Sequence, residues 1–274
     1  MKNALYILLF CLFSIYCFAQ QFPGGQKIKT IPGNYVSFSI DNLDNIYLVS
    51  TSNQLKKLSA VGDEVSVFNE IKKFGEVTWV DVSNPVRLLL YYKGFSSIVL
   101  LDGMLNQRAA IDLRRKNLFN VSAISLSYDN KIWLYDEMDN KLKKIDEEGN
   151  VIFVTADFRQ LFDKALSPIR IFDQSQYVYL YDSLQGIYVF DYYGTYKSKI
   201  DIVRWQHVSV SDKIIYGTYD GKLCQYNTAT LKLSEWPIPE AFRGYKQIFK
   251  KNNKLYALGN DGLEIYLLNE TASF

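Results

Sequence analysis

Histidine is nearly absent from this chain of 274 residues: there is one, His207. A Ser-His-Asp triad needs an imidazole base on whatever fold carries it. His207 has no Gly-x-Ser-x-Gly turn to serve. Cysteine is scarce as well, with Cys11, Cys17 and Cys224 the full set. One histidine and so few thiols cannot assemble a transition-metal site of several soft ligands. An excess of one charge is missing too: 31 Lys and Arg stand against 29 Asp and Glu, for a net +2. That balance exerts no general pull on nucleic acid. Gly24-Gly25 precede no Lys-Ser/Thr helix start, so the chain has no phosphate-cradling loop. No Pro/Ser-rich or low-complexity tract divides it. The one long apolar run, Ala4 to Tyr16, falls short of the roughly 20 residues that span a bilayer.

That run has the order of a secretory signal. Met1-Lys2-Asn3 is a short basic start, the apolar run follows, and Cys17-Phe18-Ala19 precedes Gln20. No stop-transfer charge cluster follows, so residues 1–19 are expected to be cleaved after Ala19, placing the protein in the periplasm or outside the cell. Lipidation at Cys17 is the competing reading, and bulky Tyr16 just before it argues against it. Cleavage removes Cys11 and Cys17, leaving no internal disulfide. Cys224 lies in Lys222-Leu-Cys-Gln-Tyr226, a strand pattern in which a small apolar residue is at home. The mature chain, residues 20–274, keeps no membrane-spanning segment.

What the chain has in abundance is aromatics, with 21 Tyr and 17 Phe, and short strands between tight turns. Ile124 to Val154 shows the unit. Ile124 and Leu126 alternate with serines, Asp129-Asn130 turns, Ile132 to Tyr135 runs back, Met138 to Asn140 turns again, Leu142 to Ile145 follows, and a Gly-containing turn leads to Val151–Val154. β-branched and aromatic runs broken by Asp, Asn and Gly are hairpin chemistry. Four such strands over about thirty residues make one propeller blade. Equivalent second-strand positions recur at Tyr47, Leu89, Trp133, Tyr179, Ile215 and Tyr256, at spacings of 42, 44, 46, 36 and 41 residues. Periods near 40 to 50 mark propellers and related arrays.

The predicted architecture is therefore all-β: a six-bladed β-propeller of four-stranded antiparallel blades near 36–68, 77–112, 121–155, 168–201, 206–237 and 245–269. Blade six supplies only three strands before Asn269. The segment Lys27 to Ile31 has the half-exposed alternation of an outer strand. It is expected to close the ring as the fourth strand of blade six, antiparallel to Glu264–Leu267, because raw edges invite mispairing. One stretch, Asp157 to Leu166, reads as a helical insert, with Phe158, Leu161, Phe162 and Ala165 on one face.

Two blades resemble NHL-type and YWTD-type propeller repeats: Ser39-Ile-Asp-Asn-Leu-Asp-Asn-Ile-Tyr-Leu48 with Gln54-Leu-Lys-Lys-Leu58, and Ser127-Tyr-Asp-Asn-Lys-Ile-Trp-Leu134 with Lys141-Leu-Lys-Lys-Ile-Asp-Glu-Glu-Gly149. The resemblance implies the fold. Propellers of this kind include enzymes, receptors and scaffolds, so it implies no single activity.

The inner strands pair apolar residues with small ones, letting blades approach around the axis. Trp79, Asp81, Arg170 and His207 break that pattern. Turns between third and fourth strands are acidic, and linkers between blades are basic, which predicts a modest field from one face to the other. The functional expectation is a non-catalytic binding or scaffold protein in a cell-envelope assembly, with a protein partner and no cofactor. Its contact residues are expected on the linker face: Arg114, Arg115, Lys116, Phe119, Phe158, Phe162, Arg243 and Tyr245. The alternative is a calcium-dependent lactonase or esterase whose metal, held by Glu76, Asn120 and His207, sits at the axial mouth. A hard cation wants six to eight oxygens there.

Overall fold

The computed structural model describes residues 25–269. The expected signal segment 1–19 and its cleavage site lie outside the described residues. Strand β1 (Gly25–Pro32) comes first. Blade one follows with β2 (Tyr35–Ile40), β3 (Ile46–Ser50), β4 (Leu55–Leu58) and β5 (Glu64–Phe68). Blade two holds β6 (Trp79–Asn84), β7 (Arg87–Tyr92), β8 (Ser97–Asp102) and β9 (Gln107–Asp112). Blade three holds β10 (Val121–Leu126), β11 (Ile132–Asp136), β12 (Lys141–Ile145) and β13 (Val151–Val154). Blade four holds β14 (Arg170–Gln174), β15 (Tyr177–Asp182), β16 (Gly186–Asp191) and β17 (Tyr196–Ile200). Blade five holds β18 (Gln206–Ser211), β19 (Ile214–Tyr219), β20 (Lys222–Asn227) and β21 (Lys232–Pro237). Blade six holds β22 (Gln247–Lys251), β23 (Lys254–Leu258) and β24 (Gly262–Leu268). Each blade is a four-stranded antiparallel sheet, and the sixth is completed by β1 in the order β1-β24-β23-β22.

The closing pairing has the expected partners and direction. Lys27 faces Tyr266, Lys29 faces Ile265 and Thr30 faces Glu264, with a bulge between Lys27 and Lys29 that turns Ile28 out to solvent. Gly262 lets the two ends meet: its φ is +144°, and a Cβ there would lie 2.2 Å from the Ile31 carbonyl oxygen. Gln247 ties blade six to blade one, accepting from the Phe38 N–H and donating to the Phe38 carbonyl, each at 3.0 Å.

The six repeating positions all fall in the second strands and are all buried, at 4% exposure or less. Between neighbouring blades lie clusters of buried apolar residues, and the one joining blade six to blade one combines Ile31, Tyr35 and Phe38 with Tyr256 and Leu258. The linkers plug these seams. Phe74, Leu118, Phe158, Trp205 and Phe242 each leave a linker to enter the seam beside it. Tyrosines near the ends of three second strands clasp the next linker or inner strand: Tyr91 donates to the Val121 carbonyl, Tyr135 to Leu166 and Tyr181 to Trp205.

The helical insert is shorter than its spacing suggests. Only one 3₁₀ turn forms, Phe158–Gln160, capped by the Asp157 carboxylate on the Arg159 N–H. The spacing arises from packing instead: Phe158 stacks on Phe190 at 4.7 Å, and Phe162 meets Tyr188 edge-on at 4.8 Å.

Candidate functional site: the axial cavity and its mouth

The inner strands surround a cavity of about 690 Å³. Its wall comes from β2, β6, β14, β18 and β22 and the residues leading into them, and blade three contributes none of it. Three of the four residues that break the small-residue pattern explain this. Trp79 in blade two and Arg170 in blade four meet across the front of blade three, the guanidinium 3.9 Å from the indole centroid. Behind them β10 is pinned from both sides. Asp81 accepts from the Ser125 hydroxyl at 3.0 Å and the Leu126 N–H at 2.8 Å. Asp173 accepts from the Ser127 hydroxyl at 2.7 Å.

The cavity wall is largely apolar, with Val36, Phe172, Trp205 and Val208 prominent. Its charged groups are Arg170, Arg204 and Asp81. Asp81 also accepts from the Ser83 N–H, so three donors occupy it. His207 sits on a bulge in β18 with φ +52°. Opposite the bulge lies Gly217, where a Cβ would press 2.8 Å from the Trp205 ring. The bulge turns the imidazole toward the cavity. There the side chain keeps water-accessible surface while protein surrounds it, and the surrounding decides its titration. Burial, and then the charge of Arg170, pull its pKa below 6.5 against a hydrogen bond to the Lys246 backbone. Arg170 is pulled down by burial to about 10.

At the linker-face mouth, a second hollow of about 700 Å³ adjoins the cavity and shares Arg204, Gln206, His207 and Gln247 with it. Arg243, Tyr245 and Lys246 line its outer side, with Asp220 opposite. Of the expected contact residues, Arg114, Arg115, Phe119 and Arg243 are exposed, and Lys116, Phe162 and Tyr245 half-buried. Phe158 is fully buried in the seam between blades three and four. Arg204 and Lys246 are the basic groups at the mouth that join Arg243. Of the three residues considered for a metal, only His207 reaches the cavity; Glu76 and Asn120 are exposed outside its wall. Oxygen donors for a hard cation do not gather there, and Arg170 and Arg204 occupy the space. Among the described residues no cluster of three or more His, Cys, Asp or Glu forms.

The charge of the turns has a local use. Asp102, Asp146 and Asp191 each begin a turn and accept the backbone N–H groups two and four residues on. These bonds, first among them that from the Asn106 backbone, hold the Asp102 carboxyl below its ordinary range. A linker base also reaches the acidic turn of blade three at one seam, where Lys116 Nζ donates to the Asn150 side-chain oxygen at 2.9 Å.

No family model and no curated protein matches the chain. Solved structures do. A streptogramin B lyase superposes with a TM-score of 0.56 at 15% identity, over 85% of this chain and 78% of that one. A catalytically inactive virginiamycin B lyase from Staphylococcus aureus with quinupristin gives 0.56 at 12%, over 90% and 89%. The Pan2 WD40 domain of Neurospora crassa gives 0.59 at 10%, over 88% and 80%. The likeness is of fold alone. The described residues contain no helix long and apolar enough to cross a membrane.

Proposed function

We infer that the chain is a binding or scaffold propeller of the NHL-like kind, exported and working in a cell-envelope assembly, with its linker face as the docking surface for a protein partner. One observation carries this reading. The hollow of about 700 Å³ at the axial mouth gathers Arg204, Arg243 and Lys246 on one face, with Tyr245 beside them. A concave basic patch with an aromatic side chain orients and holds an acidic protein surface. The export element rests on residues 1–19.

The test is a crosslinked pull-down from cells of the source organism, comparing wild type with an Arg115→Glu/Arg243→Glu variant. Both side chains are exposed, so the reversal should leave the fold intact while lowering capture of the partner and slowing association most. Equal capture by both proteins removes the linker face from the reading. Mass spectrometry of the mature protein should find Gln20 at its N-terminus, and a diacylglyceryl group on Cys17 would make it a lipoprotein instead.

A further inference from the structure

The wall of the axial cavity holds a cation without an anion. Arg170 spends one nitrogen, Nη1, on the Ile169 carbonyl at 2.8 Å and lays its guanidinium against Trp79. Among the described residues no carboxylate comes within ion-pair distance of it, and burial is the whole cause of its lowered pKa. Two of the three buried lysines are neutralised, Lys143 by Asp136 and Asp139 and Lys144 by Asp129, while the third, Lys57, donates to the Gly103 carbonyl and lies over the Tyr47 ring. The acid nearest in the wall is Asp81, and its three donors commit it to blade three and to its own turn. A half-buried guanidinium with no carboxylate beside it is costly to fold around. It is maintained here at the edge of a cavity of about 690 Å³, a size that takes a small organic molecule.

We propose that the axial cavity binds a monocarboxylate with an apolar body, its carboxylate paired with Arg170 and its body against the aromatic and aliphatic wall. The guanidinium offers a planar fork of donors that a carboxylate matches with two parallel bonds. One buried cation balances one negative charge. Arg204, the other cation of the wall, is exposed and its charge is screened by water, so a phosphate dianion would leave part of its charge poorly compensated beside Arg170. His207 stays neutral at pH 7, since burial and Arg170 lower its pKa, and supplies a hydrogen bond and no second charge. A bare inorganic anion would leave the wall of Val36, Phe172, Trp205 and Val208 unused. The proposal concerns the cavity and does not depend on the docking face.

The experiment titrates the full-length mature protein with 3-phenylpropionate and octanoate, with their alcohols 3-phenylpropan-1-ol and octan-1-ol, and with inorganic phosphate. Calorimetry reads affinity, and the fluorescence of Trp79 and Trp205, both in the wall, reports occupancy. At least one of the two acids should bind tenfold or more tightly than its alcohol, and phosphate should not bind detectably. In Arg170→Met the acid should lose that tenfold preference while the alcohol keeps its affinity, and Arg170→Lys should retain part of it. An acid that binds no better than its alcohol overturns the proposal, as does phosphate binding as tightly as the acid, a preference unchanged in Arg170→Met, or no binding by any probe. Should Arg170→Met fail to fold by circular dichroism, the comparison of acid with alcohol on wild type still decides. Arg115→Glu/Arg243→Glu, which tests the docking face, should bind the acid as wild type does.

Discussion

Asp173 of blade four accepts the indole N–H of Trp133 in blade three at 3.0 Å. The same carboxylate takes the Ser127 hydroxyl, the Tyr128 N–H and the Tyr192 hydroxyl. One acid thus satisfies four donors, three of them across a seam and Tyr192 within its own blade, while Lys144 lies 4.7 Å over the Trp133 ring. Asp173→Ala should orphan these donors and cost about 2–4 kcal/mol of stability. Asp173→Asn keeps one acceptor oxygen and should cost less. Urea denaturation of the two variants checks the order.

Arg170→Met should stabilise the ligand-free protein. Burial lowers the Arg170 pKa from the ordinary arginine range to about 10, which corresponds to about 3 kcal/mol at 1.36 per unit. The lost contact with Trp79 takes back about 1–2 kcal/mol. The net gain is about 1–2 kcal/mol. The folded value is the depressed one, so the penalty is fully present below about pH 10, where both states are charged, and fades as pH rises past 10 toward the ordinary arginine range. Thermal melts at pH 7 should show Tm rising by a few degrees. A variant that gains stability and loses acid binding would mark Arg170 as a residue kept for its ligand.

His207 should make the propeller sensitive to mild acid. Its folded pKa lies below 6.5, so as pH falls past 6.5 the unfolded chain takes up the proton first. The stability that neutral His207 contributes is present above that value and is lost as pH drops toward the folded value. The groups bearing on it are Arg170 and the Lys246 backbone. His207→Gln should remove this part of the acid dependence, read as the difference between denaturation midpoints at pH 7.5 and 5.5 relative to wild type.

Gly262→Val should open the ring. Its φ of +144° disfavours any side chain, and the new Cβ would collide with the Ile31 carbonyl and the Pro32 Cα. The expected cost is about 3 kcal/mol or more. Deleting residues 25–32 should be worse, because β24 then keeps only β23 as a partner and becomes a bare edge. Amide exchange should show β24 deprotected first in the Gly262 variant, since the damage starts at that edge.

Much of this ring was written locally. The Asp and Asn turns, such as Asp129-Asn130 with Asn130 at φ +61°, set the hairpins, and the recurrence at Tyr47 through Tyr256 set the blade count. The closing strand was legible because Lys27 to Ile31 alternates like an outer strand while blade six ends one strand short. Trp79, Asp81, Arg170 and His207 stood out individually as misfits on inner strands. Their partnership did not. Trp79 and Arg170 lie 91 positions apart in the sequence and belong to different blades, so no local pattern shows that they touch. The spacing of Phe158 and Phe162 misled for the same reason: their ring partners, Phe190 and Tyr188, come from a later blade. The acidic turns read as a surface field, and the sequence alone did not show that several of their carboxylates also accept the backbone N–H groups of their own turns.

The pairing of β1 with β24 also sets an order of events. Lys27 and Glu264 form an ion pair at 3.0 Å across a separation of 237 residues. Among the described strands β1 is synthesised first, and it therefore waits, unpaired, for β24. Every other sheet partner in the ring is a near neighbour, so five blades can assemble from hairpins as the chain lengthens. The sixth must search across the whole chain, a contact whose loop entropy is met late and whose formation is slow. Until then the ring is an open arc with two exposed strand edges. The interval before closure is when the molecule is most exposed to proteases and to its own copies, and its duration depends on how quickly one short N-terminal strand finds its place.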